Sequence, residues 1–158
     1  MKELNIKING KDYKAPASST ILEACRLAGI EIPTLCYLKG INEIGACRMC
    51  VVEVKGAKSL VASCVYPINE GMEIITNSKK VLESRKKNIE LLMSNHRKDC
   101  VSCVRGGDCE LIHLAYALGV TDEDNYKGAI TPSEIDDSAP HLIRDNSKCI
   151  LCRRCVAV

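Results

Sequence analysis

Eleven cysteines in 158 residues fall into three groups with the spacings of metal ligands, and one is left over. The first group is Cys36, Cys47, Cys50 and Cys64, a C-x10-C-x2-C-x13-C pattern. Iron–sulfur clusters are held by thiolates, and a 2Fe-2S cluster takes four. A close pair reaches one end of such a site, and the outer two cysteines close the ring from other parts of the fold. Plant-type spacing has four residues before the close pair. Here there are ten, which implies a longer loop around the same chemistry. Gly45 and Ala46 are small enough to let backbone approach the sulfides and donate hydrogen bonds that tune the potential. Four cysteines also satisfy tetrahedral zinc, although structural zinc usually takes two close pairs and only one pair is close here.

The second group is His96, Cys100, Cys103 and Cys109, spaced H-x3-C-x2-C-x5-C. Three thiolates within ten residues need a fourth ligand to hold a 4Fe-4S cubane, and His96 is the local candidate. A neutral imidazole in place of a thiolate removes one negative charge and should raise the potential, as two histidines do in Rieske centres. Gly106 and Gly107 allow the chain reversal that wraps three ligands round one cluster. His113 and His141 are read as surface or capping residues.

The third group, Cys149, Cys152 and Cys155, is the C-x2-C-x2-C run that opens a bacterial ferredoxin-type site. Such a site continues with a cysteine four residues on, which would fall just past Val158. These residues are therefore read as three ligands of a four-ligand cubane, and the chain as the N-terminal part of a longer polypeptide. Three idle thiols on an exposed tail would oxidise.

These ligands must be positioned by a fold with little aromatic bulk. The chain has no Phe, no Trp and five Tyr, which favours small domains stapled by metal over one large core. Disulfides are the other kind of staple. The start, MKELNIKING, lacks an apolar signal segment, so the expected location is cytoplasmic, where cysteines are ligands or redox groups. No apolar run is long enough to span a membrane. The formal charge is +2 with both signs interspersed, and no basic stripe with interleaved aromatics points to nucleic acid. Arg85, Lys86 and Lys87 are read as the solvated face of a helix.

The pattern predicts an α+β fold. Leu4, Ile6 and Ile8 alternate before Asn9-Gly10, a hairpin signal. Thr20 and Glu23 form a capping box opening a helix to about Ala28, stopped by Gly29. Ile21, Cys25 and Ala28 share a face of it, so Cys25 is read as a buried hydrophobe rather than a ligand. Residues 35–50 form a loop, followed by strands at 51–54, 60–64 and 73–76. A helix capped by Asn77 or Ser78 runs to about Asn95 with Val81, Leu82, Ile89, Leu92 and Met93 as its apolar stripe. Residues 110–118 form another helix. Residues 120–148, with acidic patches at 122–124 and 136–137 and prolines at 132 and 140, read as irregular connection with one short strand near 142–144.

The order of the three groups resembles the N-terminal region shared by FeFe-hydrogenases, the large iron–sulfur subunit of NADH:quinone oxidoreductase and clostridial NAD(P)-linked formate dehydrogenases. The stretches that carry the resemblance are IPTLCYLKGINEIGACRMCVVEV, HRKDCVSCVRGGDCEL and RDNSKCILCRRCVAV. It implies a β-grasp 2Fe-2S ferredoxin domain over residues 1–77, with Cys36, Cys47, Cys50 and Cys64 as ligands. A small helical 4Fe-4S domain would follow over 78–120, with His96, Cys100, Cys103 and Cys109. Residues 121–158 would be connection and the start of a two-cubane ferredoxin domain, with Cys149, Cys152 and Cys155. The implied function is electron transfer within a multi-subunit cytoplasmic oxidoreductase, between a flavin- and NAD(P)-binding diaphorase-type subunit or ferredoxin and a catalytic site beyond residue 158. An FeFe-hydrogenase of the NAD(P)-coupled or bifurcating kind is the favoured parent. Formate dehydrogenase, an electron-bifurcating transhydrogenase and NADH dehydrogenase are alternatives, with a zinc-stabilised interaction module behind them. None of these residues would carry out bond chemistry.

Overall fold

The computed structural model describes residues 2–120, Tyr126 and 134–158. Two compact units divide the chain: Met1–Arg85 with Arg153–Val158, and Lys86–Cys152.

The first unit is built on a five-stranded mixed sheet. Strands β1 (Glu3–Ile8) and β2 (Lys11–Pro16) form the hairpin expected around Asn9-Gly10. Asn9 and Gly10 sit at φ 49° and 84°, the left-handed pair that a two-residue turn needs between right-twisted strands. The other strands are β3 (Val51–Val54), β4 (Val61–Ala62) and β5 (Glu73–Ile75), and the sheet order is β2-β1-β5-β3-β4. β5 enters beside β1 in parallel, while the other pairs are antiparallel. With a helix between β2 and β3, this is the β-grasp arrangement expected.

Helix α1 (Ile21–Leu27) has both halves of the capping box, with the Thr20 hydroxyl accepting from the Glu23 N–H and the Glu23 carboxylate accepting from the Thr20 N–H. Its Ile21, Leu22, Ala24 and Cys25 join Leu4, Ile6, Ile8, Val52 and Ile74 in one apolar core. Cys25 is fully buried there, and burial pushes its thiol pKa up to about 11.

Helix α2 (Lys79–Ser94) begins with the Ser78 hydroxyl accepting from the Val81 N–H. Its buried face differs from the expected stripe. Val81, Ile89 and Met93 are buried, but Leu82 is 43% exposed and Arg85 is 5% exposed. The reading of Arg85 as part of a solvated face is therefore wrong. Residues four apart stand above one another on a helix, so Val81, Arg85, Ile89 and Met93 form one row. Arg85 Nη2 donates to the Val51 carbonyl oxygen at 2.8 Å, which makes its burial tolerable.

In the second unit, α3 (Glu110–Ala117) ends in Gly119 at φ 62°. Beyond it, the expected irregular connection over 121–133, with its acidic patch at 122–124 and Pro132, lies outside the described residues apart from Tyr126. Residues 135–145 form a hairpin of two strands, β6 (Ile135–Ala139) and β7 (Leu142–Asp145), where one strand was expected. Every residue of β6 is exposed, so it lacks the alternation by which a half-buried strand is recognised. Asp136 opposite Arg144 supplies a favourable cross-strand pair instead.

Candidate metal centres

All eleven cysteines stand as free thiols in this structure. The first four come together from two parts of the chain. Cys36 and Cys47 sit on the loop after α1, Cys50 precedes β3, and Cys64 follows β4. Backbone bonds hold the frame: Ser63 N–H donates to the Cys50 carbonyl at 3.1 Å, and Leu22 N–H to the Ser63 carbonyl at 3.0 Å. Asn42, itself buried, donates its Nδ2 to the Cys36 carbonyl at 2.8 Å.

Within this frame the thiols stand as two pairs. Cys50 Sγ lies 3.2 Å from Cys64 Sγ, and the Cys47 N–H approaches Cys36 Sγ at 3.5 Å. Cys36, Cys50 and Cys64 are buried and Cys47 is half-buried. Among the described residues, no three His, Cys, Asp or Glu side chains converge on a single metal-ion position. Four thiols are the number that a 2Fe-2S cluster takes.

The electrostatics follow from crowding. The hydrogen bond with Cys64 lowers the Cys50 thiol pKa to about 6, and Cys64 is pushed up in turn, so the pair readily loses one proton and resists losing a second. Burial raises the Cys36 thiol, while N–H groups of Cys47 and Ala46 favour its thiolate. A bound cation would relieve both buried pairs. Gly45, at φ 62° in the ligand loop, would put a Cβ 3.4 Å from Val65 Cγ2. Arg48, between Cys47 and Cys50, also takes a left-handed φ of 55°. Such turns aim successive N–H groups inward, as anion-binding iron–sulfur loops do.

The second group lies in the Lys86–Cys152 unit. The His96 N–H bonds to the Met93 carbonyl at 3.2 Å, placing His96 just past α2. Its Nδ1 is buried with no hydrogen-bond partner. Burial lowers the imidazole pKa, partly opposed by Asp99, which favours the neutral ring that a metal ligand must be. Cys103 N–H bonds to the Cys100 carbonyl and Gly106 N–H to the Cys103 carbonyl. A Cβ at Gly106 would stand 2.6 Å from Cys100 O and 3.1 Å from Cys103 O, so this loop closes only on glycine. Gly107 meets nothing within 4 Å, so the steric demand falls on one glycine of the pair. Cys109 is the N-cap of α3 and makes no side-chain cap bond, so its sulfur is not committed to the helix. The residues fit a cubane: a loop only glycine can close, a half-buried imidazole whose neutral form burial favours, and an uncommitted sulfur at a helix N-terminus.

In the third group Cys149 and Cys155 are exposed and Cys152 is half-buried. Leu151 and Arg153 adopt left-handed φ values of 54° and 60°, and the Leu151 N–H points at Cys149 Sγ at 3.4 Å. Sequence reasoning missed two arginines near the first group. One is Arg85. The other is Arg154, whose Nη2 donates to the Tyr37 carbonyl at 3.2 Å, with Nε 3.5 Å from the Cys36 carbonyl. For Arg85 a signal existed, because it falls four residues from both Val81 and Ile89.

The model of the 2Fe-2S iron–sulfur cluster binding domain matches residues 1–79, half of the chain. The chain belongs to that family. The NADH-ubiquinone oxidoreductase-G iron-sulfur binding region matches residues 85–124, so this family member also carries the second cluster region. Its cofactors are accordingly 2Fe-2S and 4Fe-4S clusters. It is 45% identical over 160 residues to the NADP-reducing hydrogenase subunit HndD of Solidesulfovibrio fructosivorans, covering 98% of this chain and 27% of that protein. It is 38% identical to the NADPH-Fe(3+) oxidoreductase subunit alpha of Geobacter sulfurreducens, covering 98% and 18%. A crystal structure of an NAD+-reducing NiFe-hydrogenase in the H2-reduced state superposes with a TM-score of 0.89 at 33% identity, covering 98% of this chain and 64% of that one. The chain thus spans about a quarter or less of the curated relatives. Among the described residues, no helix is long and apolar enough to cross a membrane.

Proposed function

We propose that this chain is an electron-relay module of a multi-subunit, cytoplasmic, NAD(P)-linked oxidoreductase, carrying single electrons between a diaphorase-type subunit or ferredoxin and a catalytic site elsewhere in the assembly. The observation that carries this is the pairing of four thiols, Cys50 with Cys64 and Cys36 with Cys47, inside a chain of the 2Fe-2S family. Residues 1–77 would form the two-iron domain with Cys36, Cys47, Cys50 and Cys64 as ligands. Residues 78–120 would hold a cubane on His96, Cys100, Cys103 and Cys109. In residues 121–158, Cys149, Cys152 and Cys155 would supply three ligands of a further cubane.

The clusters supply the one-electron chemistry. The chain ligates them, directs N–H groups of Cys47 and Ala46 at a ligand sulfur, and shields the first site from water. Among parents we favour an FeFe-hydrogenase of the NAD(P)-coupled kind, which the 45% identity to an NADP-reducing hydrogenase subunit supports. The second reading is a dehydrogenase of the NADH-quinone oxidoreductase type, supported by 36% identity to an NADH-quinone oxidoreductase chain of Rhizobium meliloti.

The test is hydrogen evolution from reduced viologen by the anaerobically purified native enzyme. Hydrogen evolution abolished by carbon monoxide is the expected result. A fully iron-loaded enzyme that evolves no hydrogen would shift the reading to a dehydrogenase.

A further inference from the structure

Arg85 is the one residue of its helical row that no packing argument accounts for. Its neighbours in the row, Val81 and Ile89, are fully buried and apolar. A cation in such a row costs free energy unless something compensates its charge. Its Nη2 donates to the Val51 carbonyl at 2.8 Å, and its Nε is buried with no hydrogen-bond partner. One neutral carbonyl does not neutralise a guanidinium. Burial works against the Arg85 charge, and a negative charge at Cys50 works for it. Val51 is the next residue after Cys50, and Cys50 is within 3.2 Å of Cys64. The guanidinium is therefore fastened to the peptide beside the Cys50–Cys64 pair.

We propose that Arg85 is a tuning residue for the 2Fe-2S cluster: its buried positive charge, held on the Val51 carbonyl beside Cys50, raises the cluster's midpoint potential. This rests on the assignment of Cys36, Cys47, Cys50 and Cys64 as ligands. Reduction adds one electron, and a fixed cation nearby favours the more negative state. Arginine suits the role because its guanidinium stays charged when buried. At an effective dielectric of about 20 and a separation of up to about 10 Å, one unit charge changes the reduction equilibrium by on the order of tenfold. Burial keeps salt from screening it. The hydrogen bond to Val51 sets the distance, so the offset is built into the fold.

The experiment is a redox titration of the anaerobically purified holoprotein, followed by the electron paramagnetic resonance signal of the reduced 2Fe-2S cluster. Wild type is compared with Arg85→Gln, Arg85→Met, Arg85→Lys and, as a surface control, Lys87→Met. Gln keeps a donor for the Val51 carbonyl and removes the charge. We expect the Gln and Met variants to lose about tenfold in the reduction equilibrium constant, about 59 mV for one electron. The Lys variant should stay near wild type, and so should Lys87→Met. A cluster at full occupancy with an unchanged midpoint in Arg85→Gln overturns the proposal. So does a Lys variant that falls as far as the Gln variant, because position rather than charge would then matter. If the neutral variants fail to hold the cluster, retention in Arg85→Lys supports a requirement for charge, and loss in all three assigns Arg85 to the scaffold instead. A wild-type protein without the 2Fe-2S signal would refute the ligand assignment, a different failure from an unmoved midpoint.

Discussion

Cys50 and Cys64, fourteen residues apart in the chain, bring their sulfur atoms within 3.2 Å across the junction of β3 and β4. Two thiols this close and this buried share one proton comfortably and two thiolates badly, unless a cation lies between them. The proposed ligand set gives such a pair its cation. Cys64→Ser should abolish the 2Fe-2S signal and leave the 4Fe-4S signal of the second group in place, as read by electron paramagnetic resonance and iron content. A 2Fe-2S signal of wild-type shape and intensity would remove Cys64 from the ligand set.

His96→Cys tests the second group. The thiolate brings a negative charge where a neutral imidazole stood, so the cubane should still assemble with a potential lower by on the order of 100 mV. An unchanged midpoint would show that His96 does not ligate.

The two glycines of the same loop should behave differently. Gly106→Ala forces a Cβ to within 2.6 Å of the Cys100 carbonyl oxygen and should lower occupancy of the cubane severalfold. Gly107→Ala meets nothing within 4 Å and should leave occupancy unchanged. Iron and sulfide analysis of the two variants distinguishes them. Equal occupancy would mean that the loop opens on cluster binding.

Cys25 offers a pH test. Its folded-state pKa of about 11 lies above the ordinary thiol value of 9.0, so the neutral form is the one the fold prefers. Its contribution is complete below pH 9 and is lost as pH rises through about 11, because the unfolded chain ionises first. The slope in that window reaches at most about 1.4 kcal/mol per pH unit. Cys25→Ala should cost ~1 kcal/mol at neutral pH, keep every cluster signal and flatten the alkaline limb of urea-unfolding stability. Loss of the 2Fe-2S signal in this variant would place Cys25 among the ligands.

The sequence by itself determined what depends on neighbours along the chain. Asn9-Gly10 has the turn chemistry of a two-residue hairpin, Thr20 and Glu23 cap α1 reciprocally, and the cysteine spacings identify iron–sulfur chemistry, because each of these is a relation between residues a few positions apart. Tertiary structure alone decided how the first four cysteines divide, since Cys50 meets Cys64 only once β3 pairs with β4. It also decided that β5 runs parallel to β1, a pairing across more than sixty residues that no local pattern encodes. The exposed hairpin at 135–145 escaped sequence reading because its first strand buries nothing. Arg85 is the sharpest case. A charged residue is ordinarily placed in water by its desolvation cost, and its partner, the Val51 carbonyl, lies thirty-four residues away and comes near only in the folded unit.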